Sequence, residues 1–120
     1  MRTWQAGGVN DVEWLSLPEV ADRLGCRLSE VRRMLADGQL LAVRRGEHNA
    51  LSVPALLLGP DGPLPELPGT LTVLADNGVR DEEALAWLLD DDPSLVGGSP
   101  IGALLAGHKT EVRRRAQAAG

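Results

Sequence analysis

Residues 16–46 read SLPEVADRLGCRLSEVRRMLADGQLLAVRRG, with two adjacent arginine pairs, Arg32-Arg33 and Arg44-Arg45. The first pair falls in a helical pattern and the second in a strand-like one. Leu17, Val20, Ala21 and Leu24 recur at i, i+3, i+4 and i+7, which is one face of a helix. Ser16 followed three residues later by Glu19 reads as a capping box, with Leu15 stapling onto Val20 across it. Gly25 predicts the helix stop. After a turn of about three residues, Leu28, Val31, Met34 and Leu35 form a second apolar stripe, with Ser29 as the expected N-cap. Gly38 closes that helix. Residues 40–45 and 50–53 read as strands around the turn Gly46-Glu47-His48-Asn49, and residues 54–58 as a further helical turn. The order is helix, short turn, helix, hairpin.

A helix-turn-helix lays its second helix in the major groove, N-terminal residues leading, while the first crosses the backbone. With the apolar stripe turned inward, Arg27, Ser29, Glu30, Arg32 and Arg33 are left on the outer side. Arginine can bridge O6 and N7 of guanine, and a serine or a helix N-terminus can bind phosphate. A hairpin directly afterwards is a wing, from which Arg44, Arg45, His48 and Asn49 would reach phosphates or the minor groove. The opposing reading is a small helical fold whose outer arginines are merely solvated, since charge on an outer helix face usually means no more than that. The order of elements, the Gly25 turn and the paired wing arginines together favour DNA.

The chain is acidic overall, with a net charge of −5, but its charge is uneven. Residues 1–60 carry seven Arg against seven Asp plus Glu, while residues 61–120 carry five basic against ten acidic residues. Within residues 23–45, six Arg face only Glu30 and Asp37. Such asymmetry fits a protein of which one half meets a polyanion. Eleven of the twelve basic residues are Arg. That suits bidentate contacts, although a GC-rich genome would give the same bias. Phe and Tyr are absent, so the core must be built mainly from Leu, Val and Ala, as one modest core or two small ones that lean together.

The segment GPDGPLPELPG at residues 59–69 holds four Pro and three Gly and predicts a joint without persistent helix or strand. Beyond it the sequence reads as helices. Pro68 opens one with Leu71, Leu74 and Ala75 inward, ending at Asn77-Gly78. Asp81 caps a second, with Leu85, Leu88 and Leu89 inside. Ser99-Pro100 starts a third with Ile101, Leu104 and Leu105 turned inward, ending at Gly107. Val112, Ala116 and Ala119 mark a last one, with a Glu111–Arg115 pair at i, i+4. Residues 1–12 read as a loose tail, from which Trp4 could dock onto the body.

Chemistry is sparse. Cys26 is a single cysteine and reads as a buried turn residue. His48 and His108 have no partner at zinc spacing. Asp90-Asp91-Asp92 fails as a calcium loop, because the twelfth position counted from Asp90 is Ile101, and it reads as a solvated acidic loop. Arg113, Arg114 and Arg115 read as a solvated last helix rather than a DNA flank contact. Trp87 reads as core. No catalytic set, nucleotide loop, cofactor site or metal site is visible. No secretory leader and no apolar run of about 20 residues is present, which gives a cytoplasmic expectation without membrane contact.

The N-terminal stretch resembles the winged helix-turn-helix of the MerR and excisionase class, with Glu19, Ala21, Leu24, Gly25 and Gly38 on its pattern. The segments LPGTLTVLADNGVRDEEALAWLLDDDPSL and SPIGALLAGHKTEVRRRAQA are similar to the C-terminal domain of an actinobacterial family of small winged-helix DNA-binding regulatory proteins, so that the likeness spans residues 13–119. The resemblance implies a mainly α fold with a small β-hairpin wing, a winged helix-turn-helix followed by a small helical bundle. It divides the chain into a tail (1–12), a DNA-binding domain (13–58), a linker (59–69) and a helical C-terminal domain (70–120). It further implies a non-enzymatic regulator whose partner is double-stranded DNA. A second likeness, of ALAWLL, LVGGSPIGALLAG and EVRRRA to the toxin-binding domain of ParS-type antitoxins, supplies the alternative of an antitoxin-like or adaptor module whose C-terminal helices bind a protein. Homodimerisation is open, since paired half-sites favour it but no long heptad supplies an interface.

Overall fold

The chain enters its first helix through a strand. In the computed structural model, which describes residues 12–119, β1 (Trp14–Ser16) runs directly into α1 (Leu17–Leu24). Ser16 ends the strand and caps the helix: its Oγ accepts from the Glu19 amide at 3.2 Å, and Glu19 Oε1 accepts from the Ser16 amide at 2.7 Å. The reciprocal pair satisfies two of the backbone donors that a helix start leaves open. Gly25 follows α1 in the left-handed conformation, φ 68°, and lets the Cys26 amide fold back onto the Ala21 carbonyl at 3.0 Å. This is the glycine-terminated stop expected from the sequence.

α2 (Leu28–Ala36) starts one residue earlier than the expected serine cap. Arg27 occupies the N-cap position, and Glu30 Oε1 accepts from its amide at 2.9 Å. Ser29 therefore lies inside the helix rather than capping it. Packing decides this: Leu28 must already turn inward with Val31, and Glu30 supplies the cap from within the first turn.

The wing is two strands, β2 (Val43–Arg45) and β3 (Ala50–Pro54), followed by a 3-10 turn at Ala55–Leu57. β2 is shorter than expected, because Leu40, 1% exposed, is drawn into the core before the strand begins. β1 is an addition to the expected elements. It pairs antiparallel with β3, Leu15 opposite Val53, and gives a sheet of order β1-β3-β2. Three residues are too few to show period-two patterning, so β1 exists through its long-range partner.

The Pro/Gly joint is ordered. Gly59 donates to the Gly62 carbonyl, and Leu64 to the Leu57 carbonyl at 2.9 Å, which turns the chain back on itself. Four helices follow: α3 (Leu67–Asp76), α4 (Asp81–Leu89), α5 (Pro100–Leu105) and α6 (Lys109–Gln117). α3 packs on α6, and α4 on α5. α3 begins inside the segment expected to hold no helix. Asp81 is not the cap of α4; Arg80 holds that position, and Asp81 is the first helical residue with φ 54°. Leu105 faces outward, 52% exposed, because Pro100, Ile101, Ala103 and Leu104 already fill the inner arc of so short a helix. Trp87 is half-buried against the core and Cys26 likewise, less enclosed than expected.

Buried side chains of both halves form one cluster running from Leu15 through Val31, Val53, Leu57 and Leu67 to Val112 and Ala116. Each fully buried Leu or Val contributes about 1.5–3 kcal/mol, far above the helix propensities of such short segments. Val12 packs partly against this cluster, while the rest of the tail, residues 1–11 with Trp4, lies outside the described residues.

Candidate nucleic-acid interface

α2 is strongly two-faced. At about 100° per residue, Leu28, Val31, Met34 and Leu35 fall on one side, with Val31 fully buried. Ser29, Arg32, Arg33 and Ala36 fall within an arc of about 100° on the other, and all four are exposed or nearly so. Glu30 sits at the edge of that arc with its carboxylate turned back to the Arg27 amide. Arg27 is exposed just before the first turn. Among the described residues no carboxylate forms an ion pair with Arg27, Arg32 or Arg33.

The wing arginines are exposed but differently held. Side chains alternate along a strand, so adjacent Arg44 and Arg45 leave the sheet on opposite faces. Arg44 pairs with Leu51 across the ladder, and its Nη1 donates to the Asn49 carbonyl at 3.1 Å. Bonding to a neutral carbonyl orders the side chain and leaves its charge uncompensated. Arg45 lies over the Trp14 ring, 4.0 Å from its centroid. His48 and Asn49 are exposed in the turn, where Asn49 adopts φ 52° and donates to the Gly46 carbonyl. Pleating thus separates the directions of the two wing arginines. Trp14 joins the site without any signal in the sequence, since only the β1–β3 pairing brings it onto the face of Arg45.

Four other arginines behave oppositely. Arg23 pairs with Glu13 at 3.4 Å, Arg113 with Glu66 at 3.2 Å, Arg114 with Glu111, and Arg115 with Asp92 and Glu111 at 2.9 and 2.8 Å. The basic run at residues 113–115 is consumed by the C-terminal half itself. Asp92 also accepts from the Ser94 hydroxyl and amide, at 2.6 and 3.0 Å. Those two bonds, together with Arg115, hold its carboxyl below the ordinary value against a smaller opposing effect of desolvation. The acidic loop is therefore an anchoring point rather than only solvated charge.

Among the described residues no group of three or more His, Cys, Asp or Glu could hold a metal ion, and no helix is long and apolar enough to cross a membrane. His108 is exposed at the N-cap of α6. A cleft of about 400 Å³ lies where the halves meet, lined by Leu35, Leu51, Leu71, Val79, Arg80 and Asp81 among others.

Comparison with known proteins agrees with this architecture. The family model for the winged helix-turn-helix domain of DNA-binding protein Rv2175c matches residues 9–58, and that for the Rv2175c C-terminal domain of unknown function matches residues 64–120. The chain is 40% identical over 114 residues to the DNA-binding protein Rv2175c of Mycobacterium tuberculosis, spanning 85% of this chain and 77% of that protein. The fold superposes on the NMR structure of Rv2175c with a TM-score of 0.79 at 38% identity, covering 90% of this chain and 81% of the other. With two exposed, uncompensated arginines on the outer arc of α2, a winged sheet behind them and a helical C-terminal half, the chain belongs to the Rv2175c family of winged helix-turn-helix DNA-binding proteins.

Proposed function

We propose that the protein is a cytoplasmic, non-catalytic regulator of transcription that binds double-stranded DNA, with α2 in the major groove and the wing on the flanking backbone. The observation that carries this is the contrast among arginines. Arg32 and Arg33 stand exposed and unpaired on the helix that a winged helix-turn-helix presents to DNA, whereas every arginine of the last helix is neutralised internally. The MerR/excisionase-like pattern of Glu19, Ala21, Leu24, Gly25 and Gly38 supports the same docking. In this reading Arg32 and Arg33 approach base edges, and Ser29 and Arg27 lie near the phosphates at the helix start. Arg44, Arg45, His48 and Asn49 meet the backbone beside it, and Glu30 orders the helix entry. The acidic C-terminal half faces away and limits unspecific adhesion.

Binding should be largely electrostatic. If Arg27, Arg44 and Arg45 each neutralise one phosphate at about 0.9 per phosphate on the log–log slope, affinity falls about fortyfold between about 50 and about 200 mM salt. Titration of labelled duplex at both salts tests this. Undiminished affinity in an Arg33→Ala, Arg45→Ala double variant would refute the assignment. Solution mass with and without duplex reports whether two copies bind paired half-sites.

A second reading, in which the C-terminal helices bind a protein, is favoured by two exposed apolar side chains there, Val96 and Leu105. A stoichiometric partner captured by the full chain and lost on Leu105→Glu would support it, and would leave the DNA reading intact.

A further inference from the structure

Trp14 and Arg45 lie on one face of the sheet, opposite to that of Leu15 and Val53. Leu15 and Val53, opposite each other on β1 and β3, are buried on one face; Trp14 and Arg45 project from the other, where Pro54 is buried as well and Trp14 is partly buried against the core. The register sets Trp14 opposite Pro54 and Arg45 opposite Ala50. The row between them is Val43, Ser52 and Ser16. Two of these three are serines, whose short side chains leave the diagonal across the sheet open. Over that diagonal the Arg45 guanidinium reaches the indole ring, 4.0 Å from its centroid.

We infer that Trp14 is a positioning residue that holds Arg45 ready for a DNA phosphate, and this rests on the DNA reading above. A guanidinium lying on an aromatic face keeps its N–H donors around its rim, where a phosphate oxygen takes them in plane. The ring occupies the one part of the group that phosphate does not use. Among the described residues no carboxylate pairs with Arg45, so the ring orients the cation without cancelling it. Arg23 and the arginines of α6 are held by carboxylates instead, which fix the side chain and neutralise it together. The stack also removes side-chain freedom before DNA arrives, lowering the ordering cost of the contact.

The test is a double-mutant cycle on the full chain, read by titration against a mixed-sequence duplex at low salt. Trp14→Leu keeps an apolar side chain and removes the ring; Arg45→Met keeps the stem and removes the cation. Trp14→Leu should weaken binding about two- to fivefold, the range of an exposed cation–π contact, and should have no further effect when Arg45→Met is present. Trp14→Phe, which restores a π face, should recover most of the affinity. Undiminished or tighter binding by Trp14→Leu overturns the inference, as does a Trp14→Leu loss that persists in full beside Arg45→Met. Thermal unfolding shows whether Trp14→Leu still folds. Where it does not, site-specific replacement of Trp14 by a ring-fluorinated tryptophan, of the same outline but weaker quadrupole, decides the matter: a drop supports the inference and unchanged affinity defeats it. Failure of the unmodified protein to bind duplex would defeat the DNA reading itself, whereas binding with additive variants defeats only the role of Trp14.

Discussion

Arg113 on α6 reaches back 47 residues to Glu66 at the entrance of α3, with Nη2 3.2 Å from Oε1. Lys109, one turn earlier on α6, approaches the same oxygen at 3.6 Å. The guanidinium passes over Gly69, where even a methyl group would collide with it. Long-range pairing of this kind ties the last helix to the first helix of the C-terminal half, and with the Glu111 and Asp92 pairs it gives all three arginines of residues 113–115 internal carboxylate partners.

Arg114 is the most exposed of the three, yet it is bonded to Glu111 on its own helix. Arg114→Ala should leave duplex affinity within about twofold and the salt slope unchanged, since a lost phosphate contact would lower the slope by about 0.9. Titration at several salt concentrations reads the slope directly. A drop of that size would place α6 on the DNA.

Gly97 and Gly102 cross so closely that neither tolerates a side chain. A Cβ on Gly102 would overlap the Gly97 carbonyl, and one on Gly97 would stand 2.5 Å from the Gly102 carbonyl carbon. Since both obstacles are backbone, the strain cannot be relieved by rotating a side chain. Gly102→Ala should therefore cost about 1–3 kcal/mol, in the range of overpacked sites. It should appear as a lower urea midpoint with an unchanged slope. Gly62→Ala, where a Cβ meets open space, should change stability by no more than about 0.5 kcal/mol. Equal effects of the two substitutions would contradict the crossing.

The helix-turn-helix is legible in the sequence because each of its signals is local. Ser16 and Glu19 announce a start within four residues, and Gly25 and Gly38 supply the backbone that two helix ends require. The outer arc of α2 follows from period alone. What is not legible depends on pairing at a distance. β1 is a strand only because Val53 stands opposite Leu15. The α2 cap lies at Arg27 rather than Ser29 because burial of Leu28 outranks a hydroxyl worth about 1 kcal/mol. The joint at residues 59–69 is rich in residues that break regular structure, yet turn bonds between Gly59 and Gly62 and between Leu57 and Leu64 order it. The candidate site divides in the same way: its helical arginines can be read from spacing, whereas the opposed directions of Arg44 and Arg45 and the stack on Trp14 need the sheet.

Acid should uncouple the loop at Asp92 from α6. Asp92 accepts from the Ser94 hydroxyl and amide and pairs with Arg115, and these contacts hold its carboxyl below the ordinary value in the folded protein. A carboxyl depressed on folding stabilises the folded state above its unfolded pKa, about 3.9, and loses that contribution as pH falls through the folded value. Asp92→Asn removes the charge that Arg115 needs while keeping an acceptor for Ser94. The variant should therefore be less stable than the parent at neutral pH. The gap should begin to close as pH falls below about 4 and disappear once Asp92 is protonated in both states. Urea midpoints across that range measure the gap directly. A difference that stays constant down the acid limb would mean that Asp92 acts through shape alone, and that its bonds to Ser94 and Arg115 do not favour the ionised form.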